Sequence, residues 1–237
     1  MRAAQRLHNI DDSEFISPDG VVKASTSVRD LGAYLDQAMT LQDNVSQMVS
    51  SCFYQRRRIK SIRRSLSTST AVQLFNSFII SRVEYCNSIL AGVSAFQISH
   101  MQAILNSAAR LIYDRSRYDH VTDLIRDRLH WLPIQHRVRF KCAMLVYRAL
   151  HGIVPSYISR FCVKQPVVER RYELRSAAPS RHDLVVLATI TQFRGRSFTV
   201  AGQSTWNSLP HFVKDAESFD ILRPGSRRIF FRESYGV

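Results

Sequence analysis

Residues 52–66 read CFYQRRRIKSIRRSL and combine apolar positions at a helical spacing with a dense run of cations. Side chains that recur in this way share one face of an α-helix, so the stretch predicts a helix that is buried along one side. The apolar positions are Cys52, Phe53, Ile59, Ile62 and Leu66. Six of the nine residues from Arg56 to Arg64 are basic and would cover the rest of the helix surface. They are Arg56, Arg57, Arg58, Lys60, Arg63 and Arg64.

A helix of this kind suits the phosphate backbone of a nucleic acid. Each Arg or Lys that neutralises a phosphate releases a condensed counterion, and this release drives binding whatever the base sequence. The alternative is a solvated basic face that has no specific ligand. The stretch by itself leaves both interpretations open.

The composition describes a folded and strongly basic chain. Its 237 residues fit one large domain or two small ones, and 45% of them are hydrophobic, enough to bury a core. The formal net charge is +14 and the sequence pI is about 10.2. An excess of this size indicates a polyanionic partner, with nucleic acid favoured over an acidic membrane surface.

The sequence gives no indication of export or membrane insertion. No run of about 18 apolar residues is present to span a bilayer, so we expect no membrane partner. The first residues, MRAAQRLHNIDDSEF, lack the apolar core of a secretory signal. The cysteines are far apart and lack metal-site spacing, which predicts buried thiols in a reducing, intracellular compartment, either nucleus or cytoplasm. They are Cys52, Cys86, Cys142 and Cys162.

Hydrophobic periodicity predicts a mainly α fold, in which an N-terminal β-hairpin is followed by a multi-helix bundle and a loop-rich C-terminal tail. The predicted divisions are a polar segment at 1–20, the hairpin at 21–36, a helical domain at 37–162 and the tail, with short helices, at 163–237. The hairpin strands are predicted at Val21–Lys23 and Val28–Leu35. In the tail, Pro224-Gly225 is expected to interrupt the segment from Phe219 to Phe231.

No enzyme motif is evident. A phosphate-binding GxxxxGK[ST] loop, HExxH and GxSxG are all missing from the sequence. Asp11-Asp12 is the only adjacent pair of carboxylates, and such a pair can hold magnesium. Its neighbours are polar and no β-branched run precedes it, so a buried strand is not indicated there. The sequence therefore predicts no catalytic residue, no metal ligand, no cofactor and no small-molecule substrate.

Seven short blocks of the sequence, in their order and spacing, are similar to the C-terminal part of LINE-type reverse transcriptases. These are the polymerases of non-long-terminal-repeat retrotransposons, here of the Jockey-like group. The resemblance covers residues 20–231, and each block is weak without the others. The blocks are Ser27–Gly32, Ser65–Thr68, Ser81–Ser88, Asn106–Ile112, Tyr118–His120, Leu129–Pro133 and Trp206–Pro210.

The resemblance implies that Leu31 and Gly32 correspond to the primer grip and that the following helices correspond to the thumb, which holds the template–primer duplex by its backbone. The basic residues of 56–64 would then contact the phosphates of RNA or of an RNA–DNA duplex. The catalytic aspartates of the family, in an aromatic-x-Asp-Asp turn, lie well upstream of this hairpin. Asn9–Asp12 is too close to the hairpin and lacks the aromatic residue, so we expect a non-catalytic remnant of an RNA-directed DNA polymerase.

An inactive helical fragment is the alternative to a nucleic-acid-binding remnant. Such a fragment would expose apolar surface on the hairpin and on the second helix, where the palm of the polymerase packs in the family. Large exposed apolar patches are uncommon on folded monomers, so their presence would favour this alternative.

Overall fold

The protein, described by a computed structural model over residues 15–17, 20–22, 25–165, 182–189 and 191–236, is mainly α-helical, which confirms the predicted class. The strands are β1 Phe15–Ser17, β2 Gly20–Val22, β3 Ser27–Asp30 and β4 Ala33–Asp36. The longer helices are α1 Gln42–Ile62, α2 Thr68–Phe75, α4 Ala95–Ile112, α5 Ile134–Leu150, α8 Phe198–Asn207 and α10 Phe219–Tyr235. The four-residue helices are α3 Ser81–Glu84, α6 Ser156–Ser159, α7 Gln192–Gly195 and α9 His211–Lys214. Short 3-10 or π-type turns lie at Arg63–Ser65, Asn76–Ile80, Asn87–Leu90 and Leu124–Arg128.

The N-terminal hairpin is present, but its strands differ from those predicted. β3 pairs with β4 in antiparallel register from Ser27↔Asp36 to Asp30↔Ala33, and β2 pairs with β1 instead of β3. The prediction of one strand across Val28–Leu35 was therefore wrong. The chain reverses at Leu31 and Gly32, whose φ angles of 45° and 89° are both left-handed. Two such residues form the tight turn that matches the twist of a two-stranded hairpin.

The long helices α1, α2, α4 and α5 all lie within the helical domain predicted at 37–162. Cys52 and Ile59 of α1 are buried against the other helices, as expected from the apolar face of the opening stretch. Ile62 was expected on the same face but is 49% exposed, so this part of the prediction was wrong. Ile62 follows Arg58 by four residues and therefore shares its solvent-exposed side of the helix.

The helices α1 and α4 run in the same direction. Gln97 at the start of α4 donates a hydrogen bond to the carbonyl oxygen of Thr40, just before α1, at 3.0 Å. Near the other end, Arg56 of α1 donates to the carbonyl oxygen of Ser107. Arg63, in the 3-10 turn that extends α1, donates to the carbonyl oxygen of Ile112. Both helices therefore end on the same side of the bundle, which determines where their C-terminal cations are found.

The helix α5 joins two hydrophobic clusters. Its first half, including Val138 and Cys142, packs with α1, α2 and α4. Its second half, including Tyr147, packs with Trp206 of α8 and Phe230 of α10. The predicted division between 37–162 and 163–237 therefore passes through a shared core.

The helix α10 is continuous through Pro224, so the predicted interruption of this segment was wrong. Proline lacks an N–H and disfavours a helix interior. Leu222, Ser226 and Phe230 are nevertheless buried on one face of α10, on both sides of the proline. Packing of this face in the second cluster offsets the unfavourable proline, because most helix stability in proteins comes from tertiary burial.

Candidate nucleic-acid interface

The six cations of residues 56–64 lie on three different sides of α1 and its 3-10 extension. Arg57, Lys60 and Arg64 recur at positions i, i+3 and i+7, which places them in one row along the helix surface. All three are exposed, and none makes a hydrogen bond or an ion pair with any residue that the structure describes. We call these three residues the basic row.

Two of the six cations face the neighbouring helix α4. The guanidinium Nε of Arg56 donates to the carbonyl oxygen of Ser107 at 3.3 Å. Arg63 donates to the carbonyl oxygens of Leu111 at 3.1 Å and Ile112 at 2.5 Å. The last carbonyls of a helix have no intrahelical donor and carry the negative end of its dipole. Arg63 therefore caps α4, and only part of its donor capacity remains for a phosphate.

Partial burial also affects the pKa of Arg56. Desolvation, and after it the nearby charge of Arg110, lowers the pKa of Arg56 from its ordinary value. The ordinary pKa of arginine is so far above neutral pH that Arg56 stays charged even after this decrease. Its contact with α4 is therefore a charge-assisted hydrogen bond.

Arg58 lies on the remaining side of α1, apart from the basic row. Its guanidinium carbon is 6.0 Å from the centroid of the Tyr54 ring, one helical turn earlier. Arg58 and Tyr54 are both exposed. The structure thus does not bring all six predicted residues to one surface.

Two further cations lie at the same end of the bundle as the basic row. Arg115 and Arg117 follow α4 and are exposed, with no side-chain partner in the described ranges. Arg110, in contrast, donates twice to the carbonyl oxygen of Asp119 and stabilises the loop after α4. We call the basic row together with Arg115 and Arg117 the basic end. The sequence alone assigns these two residues no ligand, because the dipole of a helix C-terminus is enough to explain cations there.

The predicted primer-grip residues form the tip of the β3–β4 hairpin. Leu31 is 84% exposed, and its carbonyl oxygen accepts a hydrogen bond from the hydroxyl of Tyr85. A Cβ atom at Gly32 would lie 3.4 Å from the Tyr85 ring, so the turn and this ring are in close contact. The backbone N–H of Tyr34 also donates to Asn44 of α1 at 3.1 Å. These bonds fix the hairpin against the helices.

A groove of about 340 Å³ lies between the hairpin and α1. Arg29 and Arg82 contribute its cations, and Arg82 donates to the hydroxyl of Ser51 at 2.8 Å. The guanidinium carbon of Arg29 lies 5.8 Å from the ring centroid of Tyr34. The groove is therefore basic and partly aromatic, beside the hairpin tip.

The thiols differ in their surroundings. Cys52 and Cys142 are buried, and desolvation raises the pKa of each to about 11. Cys162 is partly buried and Cys86 is exposed, so the prediction of four buried thiols was wrong for Cys86. Cys86 has a left-handed φ of 49° and lies in the turn between α3 and the 3-10 turn at Asn87–Leu90.

No group of three His, Cys, Asp or Glu side chains that could hold a metal ion occurs in the parts of the chain that the structure describes. Asp11 and Asp12, the carboxylate pair considered from the sequence, lie outside those residues. None of the described helices is long and apolar enough to cross a membrane.

Comparison with known proteins does not identify a relative. No model of a known protein family matches this chain, and neither a curated protein nor a solved structure is similar to it. The charge distribution and the hydrogen bonds described above are therefore the basis for assigning a function.

Proposed function

We propose that the chain binds the phosphate backbone of RNA or of an RNA–DNA duplex at the basic end, without reading bases and without catalysis. The observation that carries this proposal is the row of three exposed cations with no partner among the described residues. A side chain whose N–H groups are already bonded within the fold must exchange those bonds to bind a phosphate. Arg57, Lys60 and Arg64 make no such bonds to the described residues.

The dimensions of the basic row suit a phosphate backbone. Residues 57 and 64 are separated by a rise of about 10 Å at 1.5 Å per residue. Each strand of double-stranded DNA places one phosphate about every 3.4 Å along the helix axis, so a duplex of similar spacing presents about three phosphates over this length. Three cations can therefore meet successive phosphates of one strand.

The resemblance to LINE-type reverse transcriptases gives the binding a context. In that interpretation the chain is the thumb-like, non-catalytic remnant of an RNA-directed DNA polymerase, and Leu31 and Gly32 are its primer-grip turn. A thumb contacts the duplex through the backbone, which agrees with a row of cations rather than a set of base-reading side chains. The basic groove between the hairpin tip and α1 would then lie beside the primer strand.

One observation favours the alternative of an inactive helical fragment. Four apolar side chains of the hairpin and of the helical segment that follows α1 are substantially exposed. They are Val28 and Leu31 of the hairpin, Phe78 of the turn at Asn76–Ile80, and Tyr85 just after α3. A fragment that has lost a packing partner would expose such residues. Broad, uncooperative thermal unfolding together with the absence of nucleic-acid binding would support this alternative.

Fluorescence anisotropy with a labelled RNA–DNA duplex tests the proposal. The wild-type chain should bind at about 50 mM salt, and the affinity should fall steeply as salt rises. Changing Arg57, Lys60 and Arg64 to Gln should lower the slope of log affinity against log salt by about 3, because three phosphates are no longer neutralised. No binding by the wild-type chain under these conditions would refute the proposal.

A charge-matched control separates the basic row from the net charge. Arg160, Lys164 and Arg194 are exposed and lie outside the basic end, so their change to Gln removes the same charge elsewhere. This control should keep most of the salt slope. An equal loss in both triple variants would show that only net charge matters. Extension of a primed RNA template in the presence of magnesium would contradict the non-catalytic part of the proposal.

A further inference from the structure

A second basic surface lies in a cleft of about 330 Å³ between α5 and α10. Five cations and one carboxylate, that of Glu84, line it. The cations are Arg137, Lys141, Arg148, Arg223 and Arg227. None of them belongs to the basic end, so the cleft is an independent feature of the fold.

The internal bonds of this cleft leave most of its positive charge uncompensated. Arg137 is 7% exposed, pairs with Glu84 and donates to the carbonyl oxygen of Leu132 at 2.7 Å. Arg227 donates to the carbonyl oxygen of His130 at 3.2 Å. Lys141, Arg148 and Arg223 are exposed and make no hydrogen bond to a described residue. A concave surface lined by one sign of charge concentrates the opposite ion, so the cleft attracts an anion.

Aromatic surface completes the cleft. Phe140 and Phe219 are among its lining residues, and the guanidinium carbon of Arg148 lies 4.6 Å from the centroid of the Phe219 ring. Planar ligands pack on such rings and on the guanidinium planes beside them. A ligand that suits both the charge and the aromatic surface of the cleft therefore has an anionic group and a planar body.

We propose that this cleft binds a nucleotide, either a free mononucleotide or the terminal residue of a single strand. Lys141, Arg148 and Arg223 hold the phosphate, and the base lies along the aromatic side of the cleft. The volume is at the small end of the range for ligand pockets, which suits one nucleotide and excludes a duplex. This proposal does not depend on the function proposed for the basic end.

Calorimetry on the full chain tests the ligand class. Adenosine and cytidine 5′-monophosphate should bind at about 50 mM salt, while the nucleosides and inorganic phosphate should each bind at least about tenfold more weakly, since each lacks one of the interactions. Phosphate that binds as tightly as the nucleotides, or nucleotides that do not bind, would refute the proposal. A 5′-phosphorylated tetranucleotide, measured on the Arg57→Gln, Lys60→Gln variant so that the basic row contributes little, distinguishes the two sources: tighter binding than the mononucleotide indicates a strand end, and equal binding indicates a free nucleotide.

Two variants separate the phosphate contacts from the base contact. The double change Arg148→Gln and Arg223→Gln should weaken nucleotide binding by about tenfold or more, because it removes charge-assisted hydrogen bonds to the phosphate. Phe140→Leu keeps an apolar side chain of comparable size and removes an aromatic ring that lines the cleft, so the fold should be retained. It should weaken nucleotide binding and leave phosphate binding unchanged.

The matched control is the double change Arg57→Gln and Lys60→Gln in the basic row. It removes the same charge and should leave nucleotide binding within about twofold, since distant exposed charges are screened by salt. If this control weakens nucleotide binding as much as the cleft variant does, the assignment to the cleft is wrong. Loss of duplex binding in the control, with nucleotide binding kept, would show that the two surfaces act separately.

Discussion

Arg63 and Arg64 are adjacent in the sequence, but we predict that they contribute to different properties of the protein. Arg63 donates to carbonyl oxygens of Leu111 and Ile112 in α4 and to that of Leu66, just after its own 3-10 turn. Arg64 is exposed and makes no bond to the described residues. Arg63→Met keeps most of the side-chain stem and removes every donor, so it should destabilise the fold. Arg64→Met should leave stability nearly unchanged.

The size of the effect follows from the three hydrogen bonds of Arg63. Hydrogen bonds from a charged donor contribute roughly 1.5–3 kcal/mol when buried, and Arg63 is partly exposed, so about 1 kcal/mol each is reasonable. The expected loss is then about 3 kcal/mol. For a chain of this length, 1 kcal/mol corresponds to about 2–4 °C in Tm, which gives a decrease of about 6–12 °C.

Thermal unfolding followed by circular dichroism measures the effect of each variant on stability, and the salt dependence of duplex binding measures its effect on phosphate contacts. Arg64→Met should lower the salt slope by about 1 while its Tm stays within about 2 °C of the wild type. Arg63→Lys is a useful further variant, because lysine keeps the charge but lacks the planar fork that reaches several carbonyls. An unchanged Tm for Arg63→Met, or a large decrease for Arg64→Met, would refute the assignment of inward and outward sides.

Three further predictions follow from individual residues. Burial alone would raise the pKa of Asp36, but hydrogen bonds from the N–H groups of Thr40 and Leu41 outweigh it, so the folded-state pKa is lowered. The stability that Asp36 contributes is thus fully present above its ordinary pKa of 3.8 and is lost as pH falls through the lower folded pKa. In urea unfolding between about pH 5 and 2, the free energy of unfolding should therefore decrease less for Asp36→Asn than for the wild type. Ser226 is fully buried in α10, and its hydroxyl has no partner among the described residues. Ser226→Ala should therefore leave the free energy of unfolding unchanged or raise it by up to about 1 kcal/mol in the same assay. A clear loss of stability would indicate a hydrogen-bond partner that this reasoning misses. Cys86 should be the fastest thiol to react with a disulfide reagent in the folded chain, because Cys52 and Cys142 are buried with raised pKa values, and Cys86→Ser should remove that fast phase.

The sequence predicts the helices well because their signal is local. Apolar residues at a 3.6-residue period define α1, α4 and α5, and Ser94 with Gln97 forms the capping box that begins α4. The strand pairing is less predictable. A turn built on Leu31 and Gly32 lacks the Asn-Gly or Asp-Gly signature, so two short strands look like one.

The candidate sites depend on contacts between distant parts of the chain, and local sequence patterns do not predict such contacts. Arg56 and Arg57 have the same chemistry, and only the position of α4 directs one inward and leaves the other exposed. The cleft between α5 and α10 joins Glu84 and Asn87 with residues more than a hundred positions later. One local signal was available: Arg223 and Arg227 are spaced by four residues, which places them on one face of a helix. The expectation that Pro224 would break this helix concealed it.

The net charge of +14 overstates how much positive charge is available to a ligand, because part of it stabilises the fold. Arg63 and Arg110 are bonded to carbonyl oxygens, and Arg137 is bonded to a carbonyl oxygen and a carboxylate. Such cations keep their charge and still contribute to the field outside the protein, but fewer of their N–H groups are free to donate to a ligand. Binding strength should therefore follow the exposed groups that have no partner in the fold, and a variant that removes a bonded arginine should lose stability before it loses affinity. The same distinction explains why a count of basic residues in 56–64 does not show which of them are already bonded within the fold.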